Sequence, residues 1–308
     1  MNPEPVVDSP KLPPRDPAGH KGTFGTVAVV GGCDGADDRR TMIGAPALTA
    51  LAALRSGAGL VTIVAPRTLL SAVISVCPGA TGFGMPLDDA GELDPSGAAE
   101  QIDRAAENAS VIVLGPGFGP GEAQQQIVAR LLGIDGPPIV LDADGLNALA
   151  AMREYARGMK APTILTPHPG EFARLARAFG LRLADDAATS EAARPGAAAE
   201  LARRLGAIVV LKGAGTIVTD GLRAWRCERG NAALAVGGSG DVLSGVIGGF
   251  VAQFARAPHR MSLFDCARLG VLVHALAAER WAERHGTAGL VPEELCGEIP
   301  DVLAALRA

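Results

Sequence analysis

The stretch Ala207-Ile-Val-Val-Leu-Lys-Gly-Ala-Gly-Thr216 joins a continuous apolar run to a glycine-rich turn. A run that is apolar at every position, instead of at alternate positions, is typical of a strand buried on both faces of a parallel sheet. Further runs of this kind occupy residues 26–32, 59–65, 110–115, 138–142 and 163–166. Together these runs predict a mostly parallel central sheet.

Helical patterns lie between the predicted strands. Apolar residues recur at helical spacing over residues 47–58 and 172–179, and residues 242–254 are apolar around most of the helix circumference. We therefore expect residues 242–254 to form a buried central helix, and we expect a further helix over 268–283. The polar, alanine-rich residues 184–199 are predicted to be a loop, because Pro195-Gly196 would interrupt a helix there.

Strands and helices alternate from residue 26 to the end without a change of composition. This pattern predicts an α/β protein with three α/β/α layers and a doubly wound, mostly parallel sheet, formed as one domain over residues 20–308. Residues 1–19 are rich in proline and are expected to form an N-terminal extension.

Composition excludes several classes of function. Hydrophobic residues make up 48% of the chain, which is enough for a large core and excludes general disorder. The net charge of −5 and the aromatic content of 4% argue against a nucleic-acid or membrane surface. Five scattered cysteines without a C-x-x-C pair argue against a disulfide framework or a structural zinc site. With no signal-peptide pattern and no membrane-length apolar run, a soluble cytoplasmic protein is expected.

The segment Gly237-Gly-Ser-Gly-Asp241 opens the predicted central helix. Consecutive glycines let backbone N–H groups converge, and a helix N-terminus adds positive potential, so Gly237, Gly238, Ser239 and Gly240 are a candidate phosphate or oxyanion cradle. Asp241 would repel a phosphate. It therefore either caps the helix or acts as a base that activates a hydroxyl group beside the phosphate.

A second glycine-rich segment, Lys212-Gly-Ala-Gly-Thr216, follows a predicted strand. It could place its backbone and Thr216 against a nucleotide, although a tight turn between two strands has the same pattern. The P-loop pattern and the dinucleotide fingerprint G-x-G-x-x-G at a first strand are both missing from the sequence. Walker-type ATPases and Rossmann dehydrogenases are therefore disfavoured.

Carboxylates and one histidine follow other predicted strands. Asp142 and Glu171 are candidates for holding Mg²⁺ through water, whereas Asp144, directly before a glycine, is expected to cap a turn. His168 lies between two prolines, so its backbone is stiff. We expect His168 to be functional, with a surface turn as the alternative.

These segments together resemble the ADP/ATP-dependent NAD(P)H-hydrate dehydratases of the ribokinase-like superfamily. Thr166-Pro-His-Pro-Gly-Glu171 and His20-Lys-Gly-Thr-Phe-Gly25 are the most specific parts of the resemblance, and Gly237–Asp241 alone indicates only the superfamily. The remaining matching segments are Gly31-Gly32, Gly44-Ala45, Arg55-Ser-Gly-Ala-Gly59, Gly115-Pro-Gly117, Leu141-Asp-Ala-Asp-Gly-Leu-Asn147, Lys212-Gly213 and Gly230-Asn231. Two departures are Ser239, where the family usually has threonine, and the long charged segment 33–41.

The resemblance implies repair of hydrated NADH or NADPH. The hydroxyl of the hydrate would be phosphorylated from ADP or ATP, and elimination of phosphate would restore the dinucleotide. The implied contacts to the hydrated dinucleotide are Ala45, Gly117, His168 and Asp241, of which Asp241 would be the base. The implied contacts to the nucleotide donor are Lys212, Gly213, Ala214, Gly215, Thr216 and Gly240.

Two other functions stay open. One is a small-alcohol kinase of the hydroxymethylpyrimidine or hydroxyethylthiazole kinase type, which would more often show asparagine at the position of His168. The other is a nucleotide-binding protein without catalysis. The presence of Asp241 next to the glycines argues against it, because a protein that only binds a nucleotide needs the cradle but not the base. The resemblance further implies a homotetramer, and a separate NAD(P)H-hydrate epimerase as functional partner.

Overall fold

The computed structural model describes residues 2–34, 40–152, 159–184 and 186–308. Every predicted strand forms within these ranges, and all of them belong to a single sheet. The strands are β1 (Glu4–Val6), β2 (Thr26–Val30), β3 (Leu60–Pro66), β4 (Thr81–Met85), β5 (Val111–Leu114), β6 (Ile139–Leu141), β7 (Thr163–Leu165), β8 (Ile208–Leu211), β9 (Ile217–Thr219) and β10 (Arg223–Arg226).

The sheet is mostly parallel, as predicted. Its spatial order is β1-β10-β9-β8-β7-β6-β5-β2-β3-β4. Strands β2 to β8 run parallel to one another, whereas β9 is antiparallel to both β8 and β10. The direction in which successive strands are added reverses at β2, which makes the sheet doubly wound, and ligands of such sheets bind beyond the carboxyl ends of the strands.

Helices cover both faces of the sheet and complete the three predicted layers. Helices α1, α2 and α8 to α10 enclose one apolar core, and α3 to α7 enclose the other. The helices are α1 (Gly44–Arg55), α2 (Leu70–Val76), α3 (Pro95–Ala106), α4 (Glu122–Gly133), α5 (Asp144–Ala151), α6 (Pro169–Ala178), α7 (Arg194–Leu205), α8 (Ser239–Phe254), α9 (Leu263–His285) and α10 (Pro292–Ala305).

Helix α8 is the buried central helix that the sequence predicted. It packs closely on α1 because two of its glycines leave room for the other backbone. A Cβ on Gly245 would lie 2.2 Å from the carbonyl oxygen of Thr49, and a Cβ on Gly249 would lie 1.9 Å from Ser56 Oγ. Because no side chain fits at these contacts, the two glycines fix how α8 lies against α1.

One helix forms where the sequence predicted a loop. The segment 184–199 contains the start of α7, which begins at Arg194 and places Pro195 in its first turn. Proline is tolerated there because the first N–H groups of a helix have no intrahelical acceptor. The prediction that Pro195 interrupts a helix was therefore wrong: it marks the position at which the helix begins.

The N-terminal segment packs against the rest of the chain. Strand β1 extends the sheet through its pairing with β10. Further along, the Arg15 guanidinium lies 3.5 Å from the centre of the Phe24 ring and donates to the carbonyl oxygen of Gly57 at 2.9 Å. The extension predicted over residues 1–19 thus contributes an edge strand to the sheet. Within the described ranges, no helix is long and apolar enough to cross a membrane.

Substitution of Gly245 by alanine should lower the free energy of unfolding by about 1–3 kcal/mol, since the added methyl group has no space between α8 and α1. Gly297 is the matched control, because it lies in the exposed part of a helix and a Cβ there would meet nothing within 4 Å. We expect Gly297→Ala to leave stability unchanged or to raise it by up to about 1 kcal/mol. Urea unfolding of both variants would measure the difference, and equal stabilities would contradict the close approach.

Candidate active site

Three neighbouring strands end at the same edge of the sheet and place charged side chains there. Asp142 follows β6, His168 and Glu171 follow β7, and Lys212 follows β8. These side chains and the N-terminus of α8 line one cleft of about 790 Å³. The structure therefore brings together segments that are up to 100 residues apart in the sequence.

The ammonium group of Lys212 joins the carboxylates of the cleft. Lys212 Nζ lies 2.9 Å from Asp142 Oδ1 and 3.9 Å from Glu171 Oε2. Asp142 is almost fully buried, and its Oδ1 also accepts a hydrogen bond from Thr166 Oγ1 at 2.7 Å. A buried carboxylate with two donors is held firmly in place, so Asp142 anchors the position of Lys212.

Charges in the cleft shift the protonation of its side chains. Burial raises the pKa of Glu171 to about 7 against the opposing charge of Lys212. Burial, assisted by the negative charge of Asp142, also raises the pKa of Asp241 to about 7. Burial opposes the charged form of Lys212, yet Asp142 and Glu171 together hold its pKa above the usual value. The cleft thus has two carboxyl groups that can exchange protons near neutral pH.

The N-terminus of α8, where the sequence predicted an anion cradle, lines the cleft. Gly238 adopts the left-handed conformation, with φ of +90°, directly before the first helical residue, Ser239. Within the described part of the chain, no acceptor is found for the N–H groups of Gly240 and Asp241. A Cβ on Gly240 would lie 3.3 Å from Lys212 Nζ, so the ammonium group lies beside the amides that would hold a phosphoryl group.

Asp241 does not cap this helix, so the capping alternative of the sequence analysis is wrong. The N-cap position belongs to Gly238, and Asp241 lies in the first turn. Its carboxyl group lines the cleft, and its main-chain carbonyl accepts from Thr49 Oγ1 at 3.1 Å and from Ser244 Oγ at 3.0 Å. The backbone of Asp241 is fixed while its carboxyl group faces the cleft, which is the arrangement that a general base requires.

His274 is a buried residue that contacts the first turn of α8. The sequence analysis did not identify it. Its Nε2 lies 2.9 Å from the carbonyl oxygen of Ser239 and 3.2 Å from Ser239 Oγ. A carbonyl oxygen can only accept, so Nε2 carries the hydrogen. Burial lowers the pKa of His274 to about 4, so the ring is neutral at physiological pH. Its helical spacing among apolar residues is that of an ordinary core position, so the sequence held no signal for this contact.

His168 combines a structural position with exposure to the cleft. Its Nδ1 accepts from the N–H groups of Gly170 at 3.0 Å and Glu171 at 3.4 Å, which caps α6. Glu171 Oε2 in return accepts from the His168 N–H at 2.8 Å. Burial and the positive charges of Lys212 and Arg174 lower the pKa of His168. Because Nδ1 is an acceptor in a neutral ring, Nε2 carries the hydrogen, and it lies 3.4 Å from Glu171 Oε1.

Three predicted site residues lie outside this cleft. Ala45 and Gly117 are neighbours, since a Cβ on Gly117 would lie 3.1 Å from the Cβ of Ala45. Gly237 is exposed directly before the cradle. In the charged segment 33–41, residues 35–39 lie outside the described residues.

Asp144 has a different partner from the expected one. It lies in the first turn of α5, and its side chain makes no cap hydrogen bond. Asp144 Oδ2 instead accepts from the N–H of Gly119 at 2.9 Å. The prediction of a capped turn was wrong, and Asp144 holds the glycine-rich segment that contains Gly117.

Metal binding by Asp142 and Glu171 can be tested against their present partners. Asp142 is engaged by Lys212 and Thr166. Among the described residues, no group of three or more histidine, cysteine, aspartate and glutamate side chains is spaced for a metal ion. Mg²⁺ at phosphoryl-transfer sites usually keeps several waters and takes one or two carboxylates together with substrate phosphates. The oxygen donors of Asp142 and Glu171 fit such an ion, and they do not fit a closed protein cage.

Comparison with known proteins identifies the family. A bifunctional NAD(P)H-hydrate repair enzyme from Moorella thermoacetica is 36% identical over 299 residues, which is 96% of this chain and 52% of that protein. An ADP-dependent (S)-NAD(P)H-hydrate dehydratase from Bacillus subtilis is 34% identical, over 94% of this chain and 93% of that protein. The chain spans about half the length of the first curated relatives it matches.

A solved structure extends the similarity to three dimensions. The ADP/ATP-dependent NAD(P)H-hydrate dehydratase from Bacillus subtilis, co-crystallised with ATP and Mg²⁺, superposes with a TM-score of 0.75 at 32% identity, covering 96% of this chain and 95% of that chain. Solved ribokinase-like proteins of lower identity share the fold. The family described as NAD(P)H-hydrate dehydratase matches residues 27–301. This match covers most of the chain, and we conclude that the protein belongs to the NAD(P)H-hydrate dehydratase family, with a ribokinase-like fold.

Proposed function

We propose that this protein dehydrates hydrated NADH or NADPH at the expense of ADP or ATP, restoring the intact dinucleotide. The observation that carries the proposal is the placement of Asp241. Its carboxyl group has a pKa raised to about 7, lies at the N-terminus of α8, and faces a cleft shared with Lys212. A base beside an anion cradle is what phosphorylation of a hydroxyl group needs.

The first chemical step forms a phosphate ester. The hydroxyl oxygen of the hydrate attacks the terminal phosphorus of the nucleotide, the bond from that phosphorus to the bridging oxygen breaks, and the hydroxyl proton passes to Asp241. The N–H groups of Gly240 and Asp241 stabilise negative charge on the phosphoryl oxygens. Lys212 Nζ lies close enough to Gly240 to assist through its positive charge.

The second step removes phosphate. The carbon–oxygen bond to the phosphate breaks with assistance from the lone pair of the ring nitrogen, and phosphate leaves with the bonding electrons. Loss of a proton from the adjacent carbon then restores the ring double bond. Phosphate is a much better leaving group than hydroxide, which is why phosphorylation drives the dehydration.

We assign the two ligands to different parts of the site. The donor nucleotide lies against Lys212, Gly213, Ala214, Gly215, Thr216 and Gly240, all of which line the cleft. The hydrate contacts His168 and Asp241 and reaches Ala45 and Gly117. Mg²⁺, held by Asp142 and Glu171 largely through water, would neutralise charge on the donor phosphates.

The resemblance to bacterial members of the family supports four further inferences about location, oligomeric state, domain organisation and partner. We infer a cytoplasmic homotetramer in which residues 20–308 form one catalytic domain. Several relatives are named as bifunctional repair enzymes of about twice the matched length. We therefore infer that an NAD(P)H-hydrate epimerase acts together with this chain as a functional partner.

A small-alcohol kinase is the second candidate function, since it would use the same cradle and base. It would release a stable phosphate ester, whereas the proposed enzyme releases inorganic phosphate and the dinucleotide. His168 favours the dehydratase, because the related kinases more often carry asparagine at that position.

The proposed reaction predicts nucleotide-dependent recovery of the absorbance of NADH near 340 nm. Purified protein incubated with chemically hydrated NADH and Mg²⁺ should restore this absorbance with ADP or ATP and should not restore it without a nucleotide. We expect ADP to give the higher kcat/KM. Equal rates with and without nucleotide would contradict phosphorylation, and a stable phosphate ester as product would favour the kinase.

Asp241→Asn tests the base. Turnover should fall by about 10²–10⁴-fold, because an amide cannot accept the hydroxyl proton. The melting temperature at pH 8 should be equal or higher, since Gly238 is the N-cap and the variant removes a carboxylate that burial destabilises above its folded pKa of about 7. Retained turnover would contradict the assignment.

The ionisation of the base should also appear in the pH profile. For a carboxyl group with a pKa of about 7, kcat/KM for the hydrate should rise as the pH increases through that value, because only the carboxylate form accepts a proton. Glu171 has a similar pKa, so Glu171→Gln is the control and should keep this rise. If Glu171→Gln loses the rise of kcat/KM with pH, the ionisation seen in the profile belongs to Glu171 and not to Asp241.

His168→Asn and His168→Ala separate ligand contact from helix capping. Asparagine is a good N-cap, so His168→Asn should melt like the unchanged protein, whereas His168→Ala should lose about 0.5–2 kcal/mol of stability. Both variants should raise KM or lower kcat for the hydrate by about 10- to 100-fold, with nucleotide affinity unchanged. Normal kinetics in His168→Asn would show that His168 caps α6 and makes no contact that the hydrate needs.

A further inference from the structure

A buried arginine lies directly behind the segment 212–216. Arg194 is the first residue of α7, and only 6% of it is exposed. Its Nη2 donates to the carbonyl oxygens of Leu211 at 3.0 Å and Lys212 at 3.1 Å, and its Nη1 donates to the carbonyl oxygen of Ala214. One guanidinium group thus binds three carbonyls of the turn that follows β8.

This contact orients the turn. The carbonyls of Lys212 and Ala214 share their peptide groups with the N–H groups of Gly213 and Gly215, and within the described residues neither of these N–H groups has an acceptor. The N–H of Lys212, which belongs with the carbonyl of Leu211, donates to the carbonyl oxygen of Pro167 at 2.9 Å. Gly213 and Gly215 make the conformation possible, with φ of +137° and +64°. A Cβ on Gly213 would lie 3.1 Å from Arg194 Nη2, so the guanidinium packs directly against the turn.

The charge of Arg194 is directed at these carbonyl dipoles. In the described part of the chain, no carboxylate lies within salt-bridge distance of it, and the neighbouring Glu191 is bound by Arg226. Arg194 Nε is buried without a hydrogen-bond partner. A buried cation that lacks a carboxylate partner is costly unless its hydrogen bonds are good, which makes the three carbonyl contacts the main source of compensation.

We propose that Arg194 is a positioning residue for the phosphoryl donor. By holding the carbonyls of Lys212 and Ala214, it presents the N–H groups of Gly213 and Gly215 to the anionic nucleotide. The same contact keeps the backbone of Lys212 in place at the end of β8. The proposal rests on the assignment of residues 212–216 as the donor site.

Two substitutions test the proposal. Arg194→Met removes the guanidinium, and Arg194→Lys keeps the charge but replaces the planar fork, whose two nitrogens reach different carbonyls, by a single compact ammonium group. Both should weaken ADP and ATP binding, measured by calorimetry, by about 10- to 100-fold. The KM for the donor should rise in parallel, whereas the KM for the hydrate should stay within about twofold.

Arg268→Met is the matched control. Arg268 is similarly buried, at 4% exposure, and binds Asp265 and Asp8. It does not line the cleft. Arg268→Met should lower the melting temperature and leave nucleotide affinity unchanged, which separates loss of a buried arginine from loss of loop positioning.

The outcomes distinguish this proposal from the proposed function. If the unsubstituted protein binds neither ADP nor ATP, the assignment of the donor site is wrong, and so is the positioning role of Arg194. Normal nucleotide affinity in Arg194→Lys would overturn the proposal alone, because charge without the three-way contact would then be sufficient. An equal loss of affinity in Arg268→Met would show that general destabilisation causes the effect. Should Arg194→Met fail to fold, Arg194→Lys carries the test.

Discussion

The charge balance of the cleft depends on the ammonium group of Lys212, which lies between the carboxylates and the N-terminus of α8. It is 2.9 Å from Asp142 Oδ1 and 3.9 Å from Glu171 Oε2. Without it, Asp142, Glu171 and Asp241 would place up to three negative charges in one partly buried space, and a phosphate would meet strong repulsion. With it, two of the carboxyl groups titrate near pH 7, and the cradle keeps a positive neighbour. The proposed base and the proposed anion site are compatible in this cleft because the charge of Lys212 acts on both.

Much of the fold could be predicted, because strands buried on both faces must be apolar at every position. Strands such as β5 and β8 are recognisable in the sequence as continuous runs of valine, isoleucine and leucine. The pattern fails at the edges of the sheet, where β4 contains Gly82 and Gly84 and the hairpin of β9 and β10 is short. The prediction at Pro195 was wrong because a proline in the first turn of a helix and a proline in a loop give the same sequence pattern when alanine-rich residues follow.

The sequence also predicted which segments meet, because each follows a strand of the same parallel sheet. It could not assign the partners within the site. Whether Asp241 capped α8 depended on the conformation of Gly238, and no residue pattern specifies that angle. His274 and Arg194 were missed for a related reason. Each binds main-chain carbonyls, and because every residue has a main-chain carbonyl, the residue types in the sequence do not reveal these contacts.

The two anion-facing segments share one physical design. In the first turn of α8, the carbonyl oxygens of Ser239 and Asp241 accept from His274 and Thr49. In the turn after β8, the carbonyl of Lys212 accepts from Arg194. A peptide group whose carbonyl is bound from the core has its N–H directed the other way. The N–H groups of Gly240 and Gly213, which share their peptide groups with the carbonyls of Ser239 and Lys212, have no acceptor among the described residues. The close packing of α1 against α8 at Gly245 belongs to the same design, since it brings Thr49 within reach of Asp241. The proposed anion-binding surface therefore depends on contacts from the core, and the buried polar residues behind it position the same peptide groups as the glycines that line the cleft.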